Sequence, residues 1–106
     1  MPVRTPIIAV DFDGCLCTNN WPGVGEPNLR AIHELKRRQR NGAKVILWTC
    51  RTGDKLQEAV DYCHVFGLDF DAVNANAPEA IAEYGGDSRK IFAHEYWDDK
   101  GVICRA

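Results

Sequence analysis

The sequence has no apolar run approaching the roughly 20 residues that span a bilayer as a helix. It has no Cys-x-x-Cys pair, no internal repeat, no low-complexity tract and no linker rich in Gly and Ser. It also has no excess of positive charge, since 13 Lys and Arg stand against 15 Asp and Glu, a net charge of −2. These absences exclude a helical membrane span, a repeat array and the composition of a strong phosphate-backbone binder. The opening Met1-Pro2-Val3-Arg4-Thr5-Pro6 lacks the charged-then-apolar pattern of a secretory leader. Five cysteines are an odd number, which does not suit a fully paired disulfide scaffold. The expectation is a cytoplasmic protein with reduced thiols. Its 106 residues make a single domain, 1–106.

What is present is a regular alternation. Ile7-Ile8-Ala9-Val10 and Val45-Ile46-Leu47-Trp48 are continuous apolar runs, as in parallel strands buried on both faces. A shorter run lies around Asp71-Ala72-Val73-Asn74. Another extends from Ile91 to Trp97, and Val102-Ile103-Cys104 reads as an edge strand. Between them, residues 28–41 and 55–66 carry helical apolar spacing and end at Gly42 and Gly67. Asp54 is placed as the cap of the second helix, with Gln57 three residues on. A third helix is expected from Pro78 to Tyr84. Strands alternating with helices predict right-handed crossovers and a parallel α/β sandwich.

Function in such sheets collects beyond the C-terminal strand ends. Those ends read Asp11, Thr49, Asn74 and Asp98. In Val10-Asp11-Phe12-Asp13-Gly14 two carboxylates sit two residues apart, and Gly14 lets the chain turn sharply. Nearby carboxylates repel unless a cation neutralises them. With Asp98 and Asp99, four acids on one rim call for a hard cation, Mg²⁺ first. Lys90 and Arg51 offer positive charge to an anionic substrate. Cys15 and Cys17 lack the further ligands a zinc site needs, and Cys50, Cys63 and Cys104 are expected to be small buried hydrophobes.

These residues together resemble the haloacid dehalogenase superfamily of aspartate-nucleophile phosphohydrolases, over nearly the whole chain. Asp11-Phe12-Asp13-Gly14 is similar to its first motif, Thr49 to the second, Lys90 to the third and Asp98-Asp99 to the fourth. The resemblance implies a three-layer α/β/α Rossmann-like core and a Mg²⁺-dependent phosphomonoester hydrolase working through an aspartyl-phosphate. Asp11 would be the nucleophile, and Asp13 the acid that protonates the leaving oxygen and then the base that activates water. Asp11, the Asp13 carbonyl, Asp98 and Asp99 would hold Mg²⁺. Thr49 and Lys90 would hold the phosphoryl oxygens, while Arg51, outside the general pattern, could contact the phosphate or the leaving group. Cys15 departs from the Thr or Val often found after the first motif.

Residues 12–27 are long for a βα connection but too short for a cap domain, as are residues 74–88. The resemblance therefore narrows to the small capless members, with a flap at about 12–27 and Trp21 partly covering the site. Such members take small or macromolecular phosphorylated substrates, or close their sites as homo-oligomers. Arg30, Lys36, Arg37, Arg38 and Arg40 make the first helix basic, so nucleic-acid end phosphates are a substrate to test, although a solvated helix face is the plainer reading. A nucleic-acid end phosphatase, a phosphotransferase and a non-catalytic Mg²⁺- or phosphate-binding module on the same fold stand as alternatives.

Overall fold

The computed structural model describes residues 4–105; residues 1–3, on which part of the N-terminal reading rests, and Ala106 lie outside them. The element order is β1 (Ile7–Val10), α1 (Leu29–Arg40), β2 (Lys44–Leu47), α2 (Gly53–Val65), β3 (Ala72–Val73), α3 (Pro78–Tyr84) and β4 (Glu95–Trp97). All strand pairs are parallel, in the sheet order β3-β2-β1-β4. This is a Rossmann-like α/β fold.

The two-residue alternation of strand side chains divides the core. Ile8, Val10, Val45 and Leu47 face α1 and α2, where they meet Ile32, Leu35, Ala59 and Cys63. Ile7, Ala9 and Ile46 face the other way and pack with Ala77 and Ala80 of the α3 region, Ile91 and Ala93. The three layers follow, with α3 the one described helix on its face. Among the described residues no helix is long and apolar enough to cross a membrane.

Several expected boundaries move. The N-cap position falls on Thr52, whose side chain makes no capping bond, with Gly53 and Asp54 already in the first turn of α2. Gln57 donates to Asp61 one turn on, at 2.8 Å, and closes no capping box. The run from Ile91 narrows to a strand at Glu95–Trp97, because His94 N–H donates to the Ile7 carbonyl and its ring accepts Ile7 N–H, so the chain enters the sheet only there. Val102-Ile103-Cys104 forms no strand; Val102 and Ile103 are exposed beyond the rim. Cys63 is buried as expected, but Cys50 and Cys104 are exposed, since one sits on the loop after β2 and the other in that irregular segment.

Candidate active site

The β1 strand ends at Val10, and the next residue carries the first carboxylate out of the sheet. Asp11 N–H still donates to the Trp97 carbonyl at 2.9 Å, so Asp11 is locked to the end of β4. That pairing brings the residues after Trp97 beside it. Asp11, Asp98 and Asp99 each offer an oxygen, and these oxygens lie within 4.8 Å of one another. Burial holds the Asp11 carboxyl above its usual value, against a hydrogen bond from Phe12 N–H at 2.8 Å, and the charges of Asp98, Asp99 and Asp13 push it further up.

Gly14 makes this convergence sterically feasible. Its φ is +81°, and a Cβ there would lie 2.3 Å from Asp99 Oδ2. The turn after β1 and the turn after β4 therefore touch at a residue without a side chain. The crowding of acids also reaches Cys15, whose thiol is pushed up to about 11 by burial first and then by Asp11, Asp99 and Asp98. Cys17 is buried, with its Sγ directed at the Phe12 carbonyl.

The next strand end supplies Thr49. Asn74, after β3, takes a left-handed φ of +51°, a conformation Asn tolerates. Its Oδ1 accepts Thr49 N–H at 2.8 Å. Thr49 Oγ1 accepts Arg51 N–H at 3.2 Å, which leaves its own O–H to donate elsewhere. Asp11, Trp48, Thr49, Cys50 and Asp98 line one cavity of about 290 Å³. Asn74 was legible as a polar strand end, but its role as a clamp on Thr49 was not.

Arg51 is 1% exposed. Its Nε and Nη2 meet the two oxygens of Asp13 at 2.8 and 2.7 Å. Nη2 also donates to the Gly23 carbonyl at 2.6 Å, and Nη1 is directed at the Pro22 and Lys55 carbonyls, both at 3.4 Å. All five guanidinium N–H groups thus face protein oxygens. In this arrangement none is left for a phosphate, and the side chain binds Asp13 and the flap instead. The bond to Asp13 is also the main reason its pKa is raised above the ordinary arginine value. The guanidinium lies 4.9 Å from the Phe12 ring centroid and 5.0 Å from that of Trp21.

The flap itself is a narrow ladder rather than a full hairpin. Cys17 bridges Asp13 and Pro27, Thr18 N–H donates to the Glu26 carbonyl at 2.9 Å, and Glu26 N–H donates to Thr18 Oγ1 at 2.9 Å. Tyr62 O–H of α2 donates to the Gly25 carbonyl at 2.7 Å.

Lys90 lies elsewhere. Its Nζ is 5.9 Å from the Tyr96 ring centroid, and it lines a separate cavity of about 640 Å³ with residues of the α3 face. The segment bearing it is pinned by Asn76, 5% exposed, whose amide donates to Asp87 and Ser88 and accepts Phe92 N–H at 2.7 Å. On α1, Arg37 pairs with Glu34, Arg38 with Glu95, and Lys36 donates to the Phe66 carbonyl at 3.0 Å.

No family model and no curated protein matches the chain. Among solved structures it is similar to a conserved protein of Bacteroides thetaiotaomicron, at 39% identity and a TM-score of 0.82, over 93% of this chain and 79% of that one.

Proposed function

The chain belongs to the family of that conserved Bacteroides thetaiotaomicron protein, and from this premise we propose that it is a Mg²⁺-dependent phosphomonoester hydrolase of the haloacid dehalogenase type. The carrying observation is the convergence of Asp11, Asp98 and Asp99 beside Thr49 on the C-terminal rim of the sheet. Three oxygen donors this close, with Asp11 raised by burial and by its neighbours' charge, fit a hard divalent cation. Asp11, Asp98 and Asp99 would hold it with the Asp13 carbonyl, and it would supply the charge neutralisation that lets a carboxylate approach an anionic phosphate.

Asp11 attacks phosphorus, and the bond from phosphorus to the leaving oxygen breaks. Asp13, once a proton has displaced one of the two Arg51 hydrogen bonds from its carboxylate, gives that oxygen the proton and later takes one from the water that cleaves the aspartyl-phosphate. Thr49 donates its free O–H to a phosphoryl oxygen, held in place by Asn74 and by Arg51 N–H. Lys90 would serve the phosphoryl group only after leaving Tyr96. Nucleic-acid ends draw no support from α1, where three of the five basic side chains are already engaged.

Phosphate release from a panel of phosphomonoesters, with and without Mg²⁺, tests the reading on wild type and Asp11→Asn. Turnover that needs both Mg²⁺ and Asp11 is expected. Binding of Mg²⁺ with no turnover on any ester would favour the non-catalytic module.

A further inference from the structure

A second cavity adjoins the first. It holds about 240 Å³ and is lined by Asp13, Asn19, Trp21, Cys50 and Arg51. Cys50 lines both cavities, so they share a wall. We propose that this second cavity is the leaving-group subsite, that Trp21 is its stacking platform, and that the leaving group carries a planar aromatic ring.

The assignment of direction rests on the proposed hydrolase reading: if phosphorus sits by Asp11, the leaving oxygen must lie toward Asp13, which protonates it. What the leaving group meets there follows from the lining. Trp21 is 58% exposed and lines this cavity, so its indole is open to a ligand there. Yet it is not loosely held. Its backbone N–H donates to Asn19 Oδ1 at 3.2 Å, which holds the main chain, and its ring lies against the guanidinium of Arg51. Arg51 is in turn fixed by Asp13, Gly23 and its other oxygen partners. The indole is therefore presented on a rigid base, and a ring stacking on it loses little ordering entropy.

The charge of the lining narrows the ligand further. Asp13 and Arg51 neutralise each other, and the guanidinium has no N–H to spare. The subsite thus offers no cation to a second phosphate or carboxylate. It offers a flat indole, an amide and a thiol. That suits an aromatic or heteroaromatic ring better than a further anionic group or a small polyol.

The test compares phenyl phosphate, adenosine monophosphate and glycerol phosphate on wild type, Trp21→Ala and Trp21→Phe. The ratio of kcat/KM for either aromatic ester to that for glycerol phosphate is expected to fall roughly tenfold to hundredfold in Trp21→Ala, the range given by stacking one ring on an aromatic side chain. Trp21→Phe keeps the ratio. The two aromatic esters distinguish a single ring from a base-bearing nucleoside. A ratio unchanged in Trp21→Ala overturns the proposal, because a merely structural role for the flap lowers all three esters alike. If wild type hydrolyses none of them, the hydrolase reading fails and the subsite is judged by binding alone. A saturable change of tryptophan fluorescence with phenyl phosphate, present in wild type and absent in Trp21→Phe, then upholds Trp21 as a stacking platform for an aromatic ring, and no change in wild type overturns it.

Discussion

Arg51 grips both carboxylate oxygens of Asp13 in parallel, Nε on Oδ2 and Nη2 on Oδ1. The fork ties the loop after β2 to the turn after β1, and through Gly23 to the flap tip. The geometry is bidentate, so charge alone does not reproduce it.

Arg51→Met should therefore destabilise the chain by about 3 kcal/mol, the lower part of the range for breaking a buried pair, because Asp13 is 20% exposed and can partly rehydrate. Arg51→Lys should recover only part of this, since a lysine cannot span Asp13 and the flap carbonyls together. Urea unfolding measures both. Amide exchange should rise at residues 18–25 in either variant.

Metal binding should reverse the sign of a single substitution. Without Mg²⁺, Asp98→Asn removes a charge that crowds Asp11 and should raise the melting temperature. With Mg²⁺ at a hundred times its Kd, wild type should gain about 2.7 kcal/mol and Asp98→Asn should gain little. Thermal melts with and without Mg²⁺ give the crossing; parallel behaviour of the two proteins would argue against a cation at these acids.

Gly14→Ala should cost about 1–2 kcal/mol for a side chain at positive φ, and its Cβ must displace Asp99. Weaker Mg²⁺ binding should accompany the lost stability. Titration of Mg²⁺ by calorimetry separates the two effects.

His64 gives a pH signature remote from the site. Its Nδ1 lies 2.5 Å from Asp69 Oδ1, and that hydrogen bond, followed by the charge of Asp69, raises the imidazole above 6.5. The folded state then holds the proton more tightly than the unfolded one. The resulting stabilisation is fully present below the unfolded value and is lost as pH rises through the folded one. Both side chains are well exposed, so the effect on stability is small. NMR titration should place His64 above its ordinary value, and Asp69→Asn should return it.

The strand ends were legible because burial and chemistry are adjacent in the chain there: Ile7-Ile8-Ala9-Val10 hands directly to Asp11, and β2 to the loop holding Thr49. The sheet order then places Asp98 beside Asp11 without any further information. Arg51 was legible as a cation but not as a buried one, because its partner Asp13 lies 38 residues away and only the folded flap joins them. Lys90 depends on how Asn76 gathers residues 87–92, a side-chain network with no periodic signal. The exposure of Val102 and Ile103 was also hidden, since an apolar triplet reads as a strand until the sheet beside it is seen.

The pairing of β1 with β4 joins Ile8 to Glu95. The acids of the rim are thus contributed from opposite ends of the described chain, and Asp11 stays far from Asp98 until the longest-range pairing in the sheet has formed. During synthesis, no cation can be gripped by both until residue 98 has emerged and β4 has docked. Mg²⁺ affinity would then report completion of folding itself: any partly folded form that has β1 and β2 paired but β4 loose would be blind to the ion, and the ion would in turn hold the last strand in place.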